Sequence, residues 1–133
     1  AMQQIKILVV EDMPLAIIFI KQLLKNLGYD ADYATNAEDA LLLHYENQYD
    51  LIFNDIRLPQ MDGLTMAYKI RQFERKYCLK STRIVTVTSH TLGDIGEVIQ
   101  AIGINAAMNK PVSLDHMFKV IKLCEHGLER HTI

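Results

Sequence analysis

The sequence predicts an α/β domain built on a doubly wound, five-stranded parallel sheet. Short apolar runs alternate with amphipathic segments along the chain. This alternation is typical of right-handed strand–helix–strand crossovers, which place helices on both faces of a parallel sheet. Three strand segments are nearly continuous apolar runs, as expected for strands covered on both sides. A length of 133 residues fits one domain, for which we expect residues 2–133.

The predicted elements follow from the apolar periodicity, taken in chain order. The predicted strands are 5–10, 30–34, 51–54, 83–88 and 105–108. The predicted helices are 14–27, 37–47, 63–76, 92–101 and 113–126. Because the second strand carries Asp30 and Asp32, it is the most polar strand, and we expect it at an edge of the sheet.

Residues that favour helix ends and turns support these boundaries. Gly28 follows the first helix, where a left-handed C-terminal cap is common. Asn36 and Ser113 precede the second and fifth helices and are typical N-cap residues. Asp62 and Gly63 mark a loop before the third helix. The apolar stripe predicted for the fifth helix comprises Leu114, Met117, Phe118, Ile121 and Cys124.

The composition argues against several classes of protein. The 14 basic and 16 acidic residues leave a net charge of -2, which does not favour nucleic acid as a partner. No stretch approaches the roughly 20 apolar residues of a membrane span, so we expect no membrane contact by this domain. Cys78 and Cys124 lack metal-site spacing, and without a visible secretory signal we expect reduced thiols and a cytoplasmic location.

Polar side chains stand where the predicted strands end. Glu11 and Asp12 follow the first strand, Asp55 follows the third, Thr88 closes the fourth and Lys110 follows the fifth. The carboxyl ends of parallel strands share one edge, which is where open α/β sheets bind ligands, so we expect one common pocket. Three carboxylates in one pocket repel one another without a cation, and at least one pKa should rise. Such a cluster suits a phosphoryl group.

These positions together resemble the response-regulator receiver domain of two-component signalling. The matching motifs are Val9-Val10-Glu11-Asp12, Asp55 with Leu58-Pro59 and Met61-Asp62-Gly63, Val87-Thr88, and Lys110-Pro111. The segment from residue 55 to residue 63 is especially similar to receivers of hybrid sensor histidine kinases. The resemblance covers residues 5 to about 124. It implies a flavodoxin-like (βα)5 fold with strand order 2-1-3-4-5.

The resemblance implies a role for each residue of the pocket. Asp55 would take a phosphoryl group from a phosphohistidine on a histidine kinase or a histidine phosphotransfer protein, since carboxylates can form aspartyl phosphates. Lys110 would pair with a phosphoryl oxygen, and Thr88 would donate a hydroxyl hydrogen bond to it. A receiver would thereby catalyse its own phosphorylation and dephosphorylation. The Lys110–Pro111 bond is often cis in this family.

A Mg²⁺ ion is also implied by the resemblance. In the family pattern Asp12 and Asp55 bind the ion directly, and Glu11 acts largely through water. The backbone carbonyl of Arg57 completes the protein ligands. Mg²⁺ prefers six oxygen ligands and keeps several waters. Asp12 could also serve as the N-cap of the first helix, with Pro14 in its first turn, and the two roles are compatible.

The start of the first helix predicts a docking surface. The core-facing stripe would comprise Ala16, Ile20, Leu23, Leu24 and Leu27. Leu15, Ile18 and Phe19 would then lie partly on the other face. In the family, this end of the helix and the loop after the fifth strand dock a helical bundle that carries the phosphohistidine. The candidate docking residues are Met13, Leu15, Phe19, Pro111 and Val112, with extra core packing as the alternative.

Three positions bear on how such a receiver would work. Ala107 stands where many receivers carry Tyr or Phe, so the usual aromatic switch cannot operate, which fits a phosphorelay role. Arg57 and His90 occupy two sites that flank the phosphoryl group in the family. We hypothesise that their bulk restricts attacking water, with exposure of both to solvent as the alternative. Any homodimer would use the usual family surface of the fourth helix, fifth strand and fifth helix.

Other functions remain open on the sequence. A phosphohydrolase of the haloacid-dehalogenase type would want a second acid where Arg57 stands. A flavodoxin-like cofactor binder needs a phosphate loop after the first strand, where Glu11 and Asp12 would repel phosphate. A degenerate receiver would act only as a binding module, against which the retained site residues argue. The chain could be a single-domain response regulator or the cytoplasmic part of a membrane-anchored hybrid kinase.

Overall fold

Five strands and five helices alternate in the computed structural model, which describes residues 4–89 and 92–127. The strands are β1 (Ile7–Val10), β2 (Asp32–Ala34), β3 (Leu51–Asp55), β4 (Arg83–Thr88) and β5 (Ala106–Asn109). The helices are α1 (Pro14–Leu27), α2 (Ala37–Asn47), α3 (Gly63–Tyr77), α4 (Leu92–Ile102) and α5 (Leu114–Glu125). Within the described ranges, none of these helices combines the length and apolar character that crossing a bilayer requires.

All strands run parallel in the order β2-β1-β3-β4-β5, which confirms the predicted doubly wound fold. The polar strand β2 lies at an edge, as expected. The largest boundary differences are at β1 and β2, which begin at residues 7 and 32 rather than 5 and 30. One cause at β1 is that the Lys6 N–H donates to the Asp50 carboxylate at 2.8 Å instead of to a neighbouring strand.

Side chains of the central strands alternate between two hydrophobic cores, one on each face of the sheet. Ile7 and Val9 of β1 pack in the core that α1 and α5 cover. Leu8 and Val10 pack in the core beneath α2, α3 and α4. Because β1, β3 and β4 are buried on both faces, their polar ends are the places where this sheet can present chemistry to solvent.

Three predicted helix caps are present. Gly28 ends α1 with a φ of 88°, a left-handed conformation that glycine adopts without steric cost. The Asn36 side chain accepts a hydrogen bond from the third N–H of α2, and the Ser113 side chain does the same for α5. The two N-caps satisfy helix N–H groups that have no partner within the helix, and the Gly28 N–H donates to carbonyl groups of the last turn of α1.

Two local predictions were wrong. Asp12 does not cap α1, because Met13 occupies the N-cap position without a side-chain hydrogen bond and Pro14 begins the helix. Pro14 itself has no N–H group to satisfy, so α1 needs one acceptor fewer at its start. In α5, Leu114 and Phe118 are exposed, whereas Val120 joins Met117 and Ile121 in the core. The helix therefore turns a narrower stripe towards the sheet than its apolar pattern suggested.

Candidate functional site

Three carboxylates meet at the carboxyl edge of the sheet. Glu11 and Asp12 follow β1, and Asp55 is the last residue of β3. One carboxylate oxygen from each residue lies within 4.8 Å of the others. β1 and β3 pair directly, with Val10 opposite Asn54, so the residues that follow them are neighbours. Glu11 and Asp55 are buried, and Asp12 is exposed at the mouth of the site.

Lys110 reaches the same acids from the end of β5. Its Nζ donates to Asp55 Oδ2 at 2.6 Å and lies 3.7 Å from Glu11 Oε1. Its backbone N–H donates to the carbonyl of Thr88 at 2.9 Å, which holds the loop after β5 against β4. The Lys110–Pro111 bond is cis. The Lys110 ammonium therefore lies beside the Asp55 carboxylate.

Thr88 is the fifth residue that the sequence analysis predicted at the carboxyl edge of the sheet. It is the last residue of β4, it is buried, and it pairs in register with Asn109 of β5. The preceding residue, Val87, pairs with Asp55. The structure therefore brings all five predicted side chains to the ends of four adjacent strands.

The charges at this site do not balance, because three carboxylates face one ammonium. Burial raises the pKa of Glu11, and the nearby Asp55 charge adds to this, while the Met13 N–H and Lys110 act in the opposite direction. For Lys110, burial opposes the charged form, but the Asp55 hydrogen bond and the charges of Asp55 and Glu11 outweigh it and raise its pKa. This all-oxygen, net negative donor set suits a hard divalent cation.

Two residues that the sequence analysis did not assign to the site hold Asp55 in place. Asn54 is buried, donates to the Gly63 carbonyl at 2.9 Å and accepts from the Thr86 hydroxyl at 3.0 Å. A Cβ at Gly63 would collide with the Asp55 carbonyl oxygen and lie 2.7 Å from Asn54 Nδ2, so α3 can start here only with glycine. The sequence feature that could have indicated this role is the polar Asn54 in an otherwise apolar strand.

The loop after Asp55 supplies one contact directly. The Arg57 N–H donates to Asp55 Oδ1 at 3.0 Å, which orients the carboxylate. The role of the Arg57 carbonyl as a metal ligand stays a prediction. The Arg57 side chain is exposed, as the solvent alternative requires. His90, the other half of the water-restriction hypothesis, lies outside the described residues.

Beside the acids, α1 presents an exposed apolar surface. This α1 apolar surface comprises Met13, Leu15, Ile18 and Phe19, all of them exposed. Pro111 is exposed as well. Val112 is different: it is only 7% exposed and packs in the core beneath α1 and α5, so its selection as a docking residue was wrong. The chain turns inward directly after Pro111 to begin α5, which the sequence could not show.

Comparisons with known proteins assign this constellation to a family. Residues 7–122 match the sequence model of the response regulator receiver domain. The chain belongs to this family. This receiver is 28% identical to Histidine kinase 5 of Arabidopsis thaliana, over 91% of the chain but only 16% of that protein. The receiver spans only 16% of the length of Histidine kinase 5 and 5% of the length of the peroxide stress-activated histidine kinase mak3 of Schizosaccharomyces pombe.

Solved structures agree in fold. The receiver domain of Ssk1 from Saccharomyces cerevisiae, in complex with the histidine phosphotransfer protein Ypd1, gives a TM-score of 0.87 at 24% identity, covering 97% of this chain and 94% of that one. The receiver domain of sensor histidine kinase PA1611 from Pseudomonas aeruginosa PAO1 was solved with a magnesium ion coordinated in its active-site cleft. It gives a TM-score of 0.78 at 27% identity, covering 90% and 96% of the two chains.

Proposed function

We propose that this receiver domain accepts a phosphoryl group from a phosphohistidine onto Asp55 in a Mg²⁺-dependent phosphorelay step. The observation that carries the proposal is the arrangement around the Asp55 carboxylate. Lys110 donates to one of its oxygens, and the carboxylates of Glu11 and Asp12 lie beside it. The haloacid-dehalogenase alternative lacks the second acid it needs, because Arg57 stands at that position and is exposed.

The chain's own residues would act mainly by positioning and charge. A carboxylate oxygen of Asp55 attacks phosphorus, the P–N bond breaks, and its electron pair stays on the histidine nitrogen, which takes up a proton. The Arg57 N–H fixes the orientation of the attacking carboxylate. Lys110 and the Thr88 hydroxyl would bind phosphoryl oxygens as charge develops on them. Preorganised donors of this kind are the main source of catalysis in phosphoryl transfer.

The metal in this proposal is Mg²⁺, held by Glu11, Asp12, Asp55 and the carbonyl of Arg57. When bound, the ion neutralises charge on the phosphoryl oxygens and on the carboxylates around it. Two observations support the choice. The donors are oxygen atoms with an excess of negative charge, and the similar PA1611 receiver holds magnesium in its active-site cleft.

The proposed phosphodonor is a histidine kinase or a histidine phosphotransfer protein that docks on the α1 apolar surface. Support comes from the position of this surface, because Met13 immediately follows the acid pair. The similar Ssk1 receiver was solved with a histidine phosphotransfer protein, Ypd1. Phe19 and Pro111 are exposed and remain candidate contacts.

The larger setting is part of the proposal. Several relatives are histidine kinases of which this receiver matches only a small part, which supports a place within a hybrid sensor histidine kinase. We propose a cytoplasmic location, where a kinase could reach Asp55. A single-domain response regulator is the second candidate. We also propose that the domain can form a homodimer through α4, β5 and α5, which analytical ultracentrifugation can test.

Phosphorylation by a small phosphodonor tests the acceptor residue. With acetyl phosphate and Mg²⁺, intact mass spectrometry should show one labile adduct with the mass of a phosphoryl group, and Asp55→Asn should abolish it. Asp62→Asn is the matched control, because Asp62 caps α3 and asparagine is an equally good N-cap. The absence of an adduct on the unmodified chain, or its persistence in Asp55→Asn, would contradict the proposal.

Transfer from a protein donor tests the docking surface. Phe19→Glu should slow transfer from a phosphorylated histidine phosphotransfer protein about tenfold or more, while phosphorylation by acetyl phosphate stays unchanged. Tyr68→Glu on α3 is the control, because Tyr68 is as exposed (49%) as Phe19 (47%) but lies on a helix of the other face. Equal loss of both reactions in Phe19→Glu would show that Phe19 serves the core instead.

A further inference from the structure

Asn54 is a polar residue on an otherwise apolar side of the sheet. Its side chain is fully buried, as is that of Thr86, the residue opposite it on β4. Ile52 and Ile84, two residues earlier on the same strands, pack in the core beneath α2, α3 and α4. Side chains two residues apart on a strand point to the same face, so Asn54 and Thr86 face this core as well. An amide and a hydroxyl are costly to bury there unless both are hydrogen-bonded.

The hydrogen bonds of Asn54 connect β3 with β4 and with the start of α3. Its Nδ2 donates to the Gly63 carbonyl at 2.9 Å, and its Oδ1 accepts from the Thr86 hydroxyl at 3.0 Å. Because a carbonyl can only accept, the amide nitrogen must face Gly63 and the amide oxygen must face Thr86. The Thr86 hydroxyl therefore fixes the orientation in which the Asn54 amide meets α3.

Gly63 ends the loop of residues 56–62, which follows Asp55. Its N–H donates to the Ile56 carbonyl at 2.9 Å, and its own carbonyl accepts from Asn54. The approach is close, since a Cβ at residue 63 would collide with the Asp55 carbonyl oxygen. The end of the loop is therefore held against β3, in part by the Asn54 amide.

The same loop contains Arg57, two residues after Asp55. The Arg57 N–H donates to Asp55 Oδ1 at 3.0 Å, and its carbonyl is one of the proposed Mg²⁺ ligands. Mg²⁺ demands near-ideal octahedral geometry, so a displaced backbone ligand binds it poorly. The position of the loop relative to β3 therefore affects metal binding without any change in the charge of the site.

We infer that Asn54 is a positioning residue for the Mg²⁺ site, a role that rests on the proposed Mg²⁺-dependent transfer. It holds the loop of residues 56–62, which carries the Arg57 carbonyl. Both ends of its amide are engaged, by Thr86 and by Gly63, so it acts through the backbone rather than by binding the ion. The alternative is that the Asn54–Thr86 pair only stabilises the fold.

Mg²⁺ binding to the unphosphorylated receiver tests the inference without any phosphoryl transfer. Mg²⁺ is titrated into ¹⁵N-labelled protein, and the amide shifts of Asp12 and Arg57 give the dissociation constant. Asn54→Leu has a similar shape and leaves all three carboxylates in place, but it removes both hydrogen bonds. We expect it to weaken Mg²⁺ binding about tenfold, as changes in groups that support metal ligands do. Thr86→Ser keeps the hydroxyl donor and should bind as the parent chain does.

A double variant distinguishes positioning from stability. Asn54→Leu alone leaves the Thr86 hydroxyl buried without its acceptor, so the melting temperature should fall. Asn54→Leu with Thr86→Val replaces both partners by apolar groups of similar shape and should recover most of that loss. The Mg²⁺ affinity should stay low, because the hydrogen bond to Gly63 is still missing. Ile70→Val in the same core is the control, since it should lower the melting temperature and leave Mg²⁺ affinity unchanged.

Two results would overturn the inference while leaving the proposed function intact. One is an Mg²⁺ affinity in Asn54→Leu equal to that of the parent chain. The other is recovery of the affinity together with the melting temperature in the double variant, which decides alone if Asn54→Leu does not fold. A parent chain that binds no Mg²⁺ would overturn both the inference and the proposed function.

Discussion

Charged side chains are buried at both edges of the sheet, but the balance of positive and negative charges differs between the two edges. At the carboxyl edge, Glu11, Asp12 and Asp55 share one ammonium, that of Lys110. At the amino edge, Arg71 and Glu74 form a one-to-one pair at 2.7 Å. Both Glu74 oxygens accept hydrogen bonds there, from the Arg71 guanidinium and from the Thr82 N–H.

The comparison shows that burial of charge alone does not identify the proposed phosphoryl-transfer site. Arg71 and Glu74 are buried like Glu11 and Asp55, yet their charges cancel. The pair connects α3 to the segments before β4 and β5. The acid cluster keeps uncompensated negative charge and a raised Glu11 pKa, which a cation would relieve. Uncompensated charge with a raised pKa is the feature that indicates chemistry.

Breaking the balanced pair should have the largest effect on stability. Glu74→Ala leaves the Arg71 charge buried and the Thr82 N–H without its acceptor, so the free energy of unfolding should fall by about 3–5 kcal/mol. Urea denaturation measures this loss. The exposed pair Lys122–Glu125 provides the control, since Glu125→Ala should change little. A double variant, Arg71→Met with Glu74→Leu, should recover most of the loss, because no unpaired charge remains.

Acid should lower the free energy of unfolding through protonation of His44, which lies near the amino edge. Because burial lowers its folded-state pKa from 6.5 to about 4, the unfolded chain binds more protons between these values. Protonation of His44 therefore has no effect on the free energy of unfolding above pH 6.5. As the pH falls from 6.5 towards 4, the free energy of unfolding decreases, with a slope of at most about 1.4 kcal/mol per pH unit.

Unfolding measured at several pH values distinguishes this contribution from those of the carboxylates. His44→Gln keeps an acceptor for the Tyr49 N–H but cannot titrate, so its stability should depend less on pH than that of the parent chain. His116→Gln on α5 should keep the parent slope. Identical slopes in all three proteins would show that His44 does not control acid stability.

Neutralising an acid at the carboxyl edge should have the smallest effect and the opposite sign. Without divalent cations, Glu11→Gln should raise the free energy of unfolding by about 1 kcal/mol, since it removes one of three repelling carboxylates. Added Mg²⁺ should stabilise the parent chain and stabilise Glu11→Gln less. Thermal melts with and without Mg²⁺ measure both effects, with Glu97→Gln on the surface as control. If Glu11→Gln were less stable than the parent chain without the ion, repulsion among the three carboxylates would be contradicted.

Much of the site could be predicted because its residues stand at strand ends. Asp55 and Thr88 close apolar runs, and parallel strands bring such ends to one edge whatever the details of packing. Asn54 and Gly63 were missed as site residues because their role depends on how closely α3 approaches β3. That approach is a long-range contact which no local pattern reports.

The sequence by itself determined the order of the elements, the parallel sheet and the edge at which the acids, Thr88 and Lys110 gather. Local periodicity and strand-end chemistry encode these features. The tertiary structure alone decided that Val112 is buried while Phe118 is exposed, and that the Arg71–Glu74 pair binds Asn105 and the Thr82 N–H. These outcomes depend on helix rotation and on contacts between residues far apart in the chain, so they are set by packing in three dimensions.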